Sequence, residues 1–121
     1  MPYVAATMRI DSKAPAINAA LEGLVALNCS QMRARRFPPL YSSGIRYRRD
    51  KGETWDSAQV CMRRGYGDCE DLAAYRAAEL RCQGIPARAV VLRSRTPGVA
   101  WHCVVRLPNG RIEDPSRRLG M

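Results

Sequence analysis

Residues 65–73 read Gly-Tyr-Gly-Asp-Cys-Glu-Asp-Leu-Ala, a glycine-rich turn that leads into the expected start of a helix. Asp68 has the side chain of a helix N-cap, and Asp71, three residues later, completes the pattern of a capping box. Cys69 then falls on the first helical residue. There the free backbone N–H groups and the positive end of the helix dipole are expected to lower the pKa of the thiol and to favour the thiolate.

Cys69 has two interpretations. A thiolate at a helix start can attack a carbonyl carbon, and the same N–H groups can receive the oxyanion that this attack creates. A free cysteine is also a small apolar residue, and most free cysteines are simply buried. The stretch alone leaves both open, so the choice depends on whether the chain supplies the partners that a nucleophile needs.

The length and composition indicate one folded domain. A chain of 121 residues can bury a core without disulfides or metal, and a charged fraction of 26% is ordinary for a globular protein. We find no apolar run long enough for a membrane span and no pattern of an export signal. The cysteines are odd in number and lack a paired C-x-x-C spacing, which predicts no cofactor or metal site and favours a reducing, cytoplasmic setting. They are Cys29, Cys61, Cys69, Cys82 and Cys103.

The formal net charge of +9 comes almost entirely from arginine. Such a balance is typical of proteins with an anionic partner, such as nucleic acid or an acidic protein, although scattered arginines also occur on an ordinary solvated surface. The densest run places Arg46, Arg48 and Arg49 around Tyr47. We expect a surface loop there, with binding of an anionic partner as the alternative.

Hydrophobic periodicity and turn residues divide the chain into alternating helices and strands. Pro38 ends the first long helix, Thr54 is expected to cap a second one, and Gly84 with Pro86 ends the helix that starts at Cys69. In chain order the predicted elements are a strand at 3–10, a helix at 14–35, an irregular or extended basic segment at 40–52, helices at 55–64 and 69–83, and strands at 87–92, 100–107 and 111–114.

These elements predict an α+β fold. One helix is followed by an antiparallel meander, so the Cys-bearing helix is expected to lie on one face of the sheet. The small side chains of Ala73, Ala74, Ala77 and Ala78 make this helix slim enough to pack closely. We expect a single domain over 1–121, with an N-terminal strand, long helix and basic loop in 1–53 and a catalytic core in 54–121.

A thiol nucleophile needs a base, and the base needs a third group that fixes its tautomer. His102 is the only histidine, and period-two alternation in its strand places it on one face with Ala100 and Val104. A lone histidine on a strand is often only structural. Here a carboxylate follows just after the next turn, so the chain offers one candidate for each role.

Glu113 and Asp114 are adjacent, and only one of them can share the sheet face of His102. A two-residue Asn109-Gly110 loop would put Glu113 on that face, whereas a three-residue loop 108–110 would put Asp114 there. Proline suits the first central position of a type I turn, and Gly110 suits the left-handed residue that follows. The turn chemistry therefore favours Asp114.

The motifs together resemble the transglutaminase-like, papain-related superfamily of cysteine acyl-transfer enzymes. The resemblance spans about 58–116 and implies a papain-like core with a catalytic triad of Cys69, His102 and Asp114. In order, the matching pieces are Gly67-Asp68-Cys69, Gly84-Ile85-Pro86-Ala87-Arg88, Trp101-His102 and Asp114-Pro115.

The resemblance implies a cysteine peptidase or amidase acting on peptide or isopeptide carbonyls, with a protein-glutamine transamidase as the alternative. A different class remains open, a non-catalytic basic module that binds nucleic acid or an acidic protein. The backbone N–H of Cys69 is one expected oxyanion donor, and Trp55 or Gln59 is a candidate for the second.

Overall fold

A computed structural model describes residues 7–9, 14–49, 54–94 and 97–121. It has mixed helix and sheet, as the α+β prediction requires. None of the helices in these ranges is long and apolar enough to cross a membrane. In chain order the elements are β1 (Thr7–Arg9), α1 (Ala14–Ala34), a short 3-10 turn (Leu40–Ser42), β2 (Arg46–Tyr47), β3 (Thr54–Asp56), α2 (Ala58–Arg64), β4 (Tyr66–Gly67), α3 (Cys69–Cys82), β5 (Arg88–Arg93), β6 (Trp101–Arg106), β7 (Ile112–Glu113) and α4 (Pro115–Arg118).

The sheet that supports α3 is a three-stranded antiparallel meander in the order β5-β6-β7. The predicted arrangement is confirmed, because the helix that carries Cys69 packs on this sheet while α1 packs against both. The four alanines of α3 are fully buried in one apolar cluster with residues of α1, β5 and β6. Their small side chains let α3 approach its neighbours closely, which holds the start of the helix beside β6.

A second apolar cluster lies on the other side of α3. Tyr75 and Leu72 are its largest fully buried members on the helix, and Leu119 follows α4. Its outer edge is the short parallel pair β2–β4, in which Tyr47 is opposite Gly67. The segment just before Cys69 is thus held by a strand that is distant in sequence.

The predicted helix at 55–64 is wrong at its beginning. Thr54–Asp56 is a strand that pairs antiparallel with β1, and α2 begins only at Ala58, after Ser57. Thr54 is therefore not a helix cap, because its backbone pairs with a strand far away in sequence. Within the predicted strand at 3–10 the structure gives Thr7–Arg9, and the rest of that prediction lies outside the described residues.

Two further segments contain elements that the sequence analysis did not assign. The basic segment predicted as irregular or extended contains the 3-10 turn and the short strand β2, and its end lies outside the described residues. The short helix α4 begins at Pro115, where Asp114 acts as its N-cap. The other predicted helices and strands agree with the structure to within one or two residues at each end.

A buried ion-pair network fixes the turn of α3 that follows Cys69. Asp71 is fully buried and accepts from the backbone N–H groups of Asp56 at 2.8 Å and Asp68 at 3.1 Å. Arg64 bonds Asp71 at 3.0 Å and Asp56 at 2.8 Å. The same carboxylate therefore links β3, α2 and the cap of α3.

Replacing Asp71 with Ala is expected to lower the free energy of unfolding by about 3–5 kcal/mol, because the substitution leaves a mostly buried guanidinium and two backbone donors without this partner. Urea denaturation measures the loss. Glu22→Ala is a matched control, since the bond of Glu22 to Arg81 joins two half-exposed side chains and is expected to contribute about 1 kcal/mol or less. Equal losses in the two variants would contradict the role given to Asp71.

Candidate active site

Cys69 is the first residue of α3, and its side chain is half-buried. The predicted N-cap is confirmed, because Asp68 has an extended backbone and its carboxylate accepts from the N–H of Cys69 at 2.7 Å. Asp71 closes the predicted capping box. Gly67 packs so closely that an added Cβ would stand 3.1 Å from Cys61 Sγ. A residue without a side chain therefore lets the turn seat Cys69 at the helix start.

His102 lies on β6, and Asp114 follows β7. His102 Nε2 is 2.8 Å from Asp114 Oδ2, and the two side chains are only 15% and 20% exposed. A carboxylate in this position holds the imidazole ring in one orientation. Because Nε2 is bonded to Asp114, Nδ1 is the ring nitrogen left for a second partner.

The turn between β6 and β7 decides which carboxylate reaches His102. The backbone N–H of Leu107 donates to the carbonyl of Arg111, and Gly110 has a left-handed φ of 87°. This hydrogen bond and this backbone angle are those of the predicted three-residue loop 108–110, so that prediction is confirmed. The register that follows from it places Asp114 on the His102 face, as the turn chemistry predicts.

Glu113 faces away from His102 and has a different set of partners. It accepts from the Tyr41 hydroxyl at 2.6 Å and from Arg76 Nε at 2.7 Å. Burial acts to raise the pKa of Glu113, but the hydrogen bonds from Arg76 and Tyr41 outweigh it and lower this pKa from its ordinary value. Glu113 is therefore a structural ion-pair partner that ties β7 to α3.

The Cys69 thiol lies beside the imidazole of His102, and its interaction with the ring is the largest cause that raises the pKa of His102 to about 9. The Asp114 carboxylate acts in the same direction, against burial. The structure thus brings together Cys69, His102 and Asp114, the residues that the sequence selects. Their catalytic role stays a prediction.

The pKa of the Cys69 thiol is raised, so the expectation of a lowered value is wrong. The neighbouring thiol of Cys103 is the largest cause and burial the next, while the neighbouring imidazole of His102 acts in the opposite direction. In addition, the carboxylate of Asp68 already occupies the N–H of Cys69, which offsets the positive end of the helix dipole. At rest the residue is a thiol, and a base must remove its proton before it can attack.

Glu70 is a site residue that the sequence reasoning missed. It is 7% exposed, and its Oε2 atom lies 3.3 Å from Cys69 Sγ. Burial, reinforced by the charges of Cys69, Asp71 and Asp68, raises the pKa of Glu70 to about 11. The sequence feature that could have pointed to Glu70 is its position, as an acidic residue directly after the candidate nucleophile. The ligand atoms of Asp68, Cys69 and Glu70 lie within 4.8 Å of one another, so these three residues could hold a cation.

The second oxyanion donor has two sequence candidates, which lie in different places. Gln59 lines a cavity of about 230 Å³ together with Phe37 and Arg63, and neither Cys69 nor His102 is among the lining residues. Trp55 belongs to the apolar cluster against which Cys69 packs, so it is the candidate on the Cys69 side of the molecule.

Tyr47 of β2 is a further neighbour of the site. Burial is the main cause that raises the pKa of its hydroxyl to about 12, and the charges of Asp68, Cys69 and Glu70 add to the shift. The sequence placed Tyr47 in a basic loop, and no local pattern could show that β2 would pair beside the Cys69 turn.

Comparison with known proteins gives one match. Residues 27–110 match the protein family described as the transglutaminase-like superfamily. The matched range includes Cys69 and His102, ends before Asp114, and extends into α1, beyond the motifs that carried the resemblance in the sequence. No curated protein and no solved structure matches the chain.

Proposed function

Because the chain belongs to the transglutaminase-like superfamily, we propose that it is an acyl-transfer enzyme that works through an acyl-Cys69 intermediate. The observation that carries the proposal is the 2.8 Å hydrogen bond between His102 and Asp114, together with the Cys69 thiol close enough to His102 to raise its pKa. The candidate nucleophile thus lies next to the candidate base, and the base lies next to the carboxylate that orients it.

In the first half-reaction, His102 Nδ1 accepts the thiol proton while Cys69 Sγ attacks the carbonyl carbon of an amide. The tetrahedral intermediate collapses by breaking the carbon–nitrogen bond, and the leaving amine takes the proton from His102. Asp114 stays hydrogen-bonded to Nε2 and stabilises the imidazolium that exists between these two proton transfers. The product is a thioester on Cys69 and a free amine.

In the second half-reaction, His102 accepts a proton from an incoming nucleophile that attacks the thioester. When water attacks, the carbon–sulfur bond breaks, a carboxylic acid leaves, and Cys69 recovers its proton from His102. The same steps with a primary amine give a new amide, which is transamidation. We propose a cysteine peptidase or amidase as the main activity and a protein-glutamine transamidase as the alternative.

Turnover is expected to rise between about pH 7 and about pH 9. Below the raised pKa of His102, about 9, the imidazole already carries a proton and cannot accept the one from Cys69. As the pH rises through this value, the Cys69–His102 pair loses one proton as a unit and becomes competent. Initial rates at a series of pH values give the profile, and a flat or falling profile over this window would contradict the assignment.

A peptide library tests the proposed function. The protein is incubated with the library, with and without a primary amine donor, and the products are identified by mass spectrometry. Cleavage or deamidation without the amine supports hydrolysis, whereas crosslinks formed only with the amine support transamidation. The Cys69→Ala protein is the control, and equal product formation by that variant would refute the proposal.

A further inference from the structure

Among the residues that the structure describes, the fully exposed charged side chains all have the same sign. Every exposed charged side chain in the described ranges is an arginine, whereas all the acidic side chains there are buried or half-buried. The reason is visible in the contacts, since carboxylates such as Asp56, Asp71 and Glu113 turn inward onto half-buried arginines and backbone N–H groups. The described part of the surface therefore carries mainly positive charge.

We propose that five of these arginines, Arg46, Arg48, Arg49, Arg117 and Arg118, form an arginine face that binds the phosphate backbone of a nucleic acid. This binding is separate from the thiol chemistry proposed above. All five side chains are exposed.

The two segments that carry the arginine face adjoin each other. The backbone N–H of Tyr47 on β2 donates to the carbonyl of Leu119, directly after α4, at 2.9 Å. The guanidinium of Arg46 lies over Gly120, with Nη2 2.9 Å from the position that a Cβ would occupy there. Arginines that are far apart in sequence are thus carried by adjacent segments of the fold.

Aromatic rings hold two of the guanidinium groups in place. Arg48 lies over the ring of Tyr66 at 4.8 Å, and Arg118 lies over the ring of Tyr41 at 4.7 Å. Stacking fixes the plane of a guanidinium and leaves its N–H edge available, so less side-chain freedom is lost when a phosphate binds. Two carboxylates of the described residues lie beside the face, since Asp114 is 3.4 Å from Arg117 and the charge of Glu113 interacts with Arg118.

The chemistry of the face favours phosphate over the carboxylates of an acidic peptide. Lys13 and Lys51 are the only lysines in the sequence, so the positive surface is made of arginine, whose planar fork matches phosphate oxygens in pairs. Duplex DNA carries one charge per ~1.7 Å of its axis, so it can engage several spread arginines at once. Among the described residues no fully exposed carboxylate repels such a polyanion.

Fluorescence anisotropy with a labelled DNA duplex of about 20 base pairs tests the proposal over a series of salt concentrations. The protein carries Cys69→Ala, so that binding is measured apart from thiol chemistry. The test variant combines Arg46→Gln, Arg48→Gln and Arg49→Gln. The matched control removes the same charge elsewhere on the exposed surface by Arg33→Gln, Arg93→Gln and Arg106→Gln.

The test variant is expected to bind more than about tenfold more weakly, with the slope of log affinity against log salt reduced by about 2 to 3, because three phosphate contacts are lost. The control variant is expected to lose about threefold or less. The double variant Arg117→Gln, Arg118→Gln is expected to weaken binding as well, which keeps the test valid if the first variant fails to fold. Circular dichroism monitors the fold of each protein.

Three results would overturn the proposal. The first is a lack of binding at low salt, and the second is an equal loss in the test and control variants, which would show only diffuse charge. The third is tighter binding of polyglutamate than of the duplex at the same salt concentration, which would assign the face to an acidic protein. None of these outcomes bears on turnover, so the proposed enzyme activity stands or falls separately.

Discussion

The Cys69→Ala protein is expected to lose turnover by about 10⁴ to 10⁶-fold, because no acyl-enzyme can form without the sulfur. The fold should survive the change. Cys69 is only half-buried, the removed atom is small, and the cap of α3 is made by Asp68 and Asp71, which remain. Initial rates on a peptide found in the library screen, together with circular dichroism, measure the two effects.

Cys82→Ala is the matched control for this experiment. Cys82 is a free, exposed thiol at the other end of the same helix. Its removal should leave turnover unchanged. Full activity of the Cys69→Ala protein, or equal losses in both variants, would refute an acyl-Cys69 intermediate.

Asp114→Asn is expected to lower kcat by up to about 10⁴-fold, the size of effect seen when the orienting carboxylate of a hydrolytic triad becomes an amide. The 2.8 Å bond to Asp114 holds His102 in the orientation that leaves Nδ1 for the thiol. An uncharged amide stabilises the imidazolium less than a carboxylate does. Asparagine is also a good N-cap, so the cap that Asp114 makes on α4 through Arg117 N–H is kept.

Glu113→Gln provides the comparison for Asp114→Asn. Glu113 bonds Arg76 and Tyr41 instead of His102, so its loss should reduce stability while turnover per folded molecule stays within about threefold. Urea denaturation and kinetics together separate the two effects. A larger loss of turnover in Glu113→Gln than in Asp114→Asn would mean that the orienting carboxylate is misassigned.

The parts of the site that depend on local chemistry could be predicted from the sequence. The capping box of Asp68 and Asp71 uses residues that are close in the chain, and so does the 108–110 turn that decides the register. In each case a side chain or a fixed backbone angle determines the conformation within a few residues. The start of α3 and the contact of Asp114 with His102 could therefore be predicted from the sequence.

Contacts between segments that are far apart in the sequence could not be predicted. Nothing near Thr54 indicates that it would pair with β1, so a strand there was taken for a helix start. The pairing of β2 with β4 is also distant in sequence, and it is what places Tyr47 beside the site. Propensity is a weak guide wherever tertiary pairing decides the backbone conformation.

The electrostatics of the site depend on burial, which a sequence pattern does not contain. A helix start alone predicts a lowered thiol pKa, but Cys103 and burial raise the pKa of Cys69. The buried carboxyl group of Glu70 beside the sulfur is a consequence of packing in the same way. The residues could be chosen from the sequence, whereas their resting protonation could not.

Alkylation of Cys69 by iodoacetamide tests most directly whether His102 activates this thiol. The experiment uses a Cys82→Ser background, since Cys82 is exposed and would react on its own. Peptide mass spectrometry then compares the protein that keeps His102 with the His102→Gln variant. We predict modification at Cys69 at a rate that rises up to about pH 9 and falls at least about tenfold in the His102→Gln protein. Equal rates with and without His102, or modification of Cys29, Cys61 or Cys103 as fast as Cys69, would contradict the account.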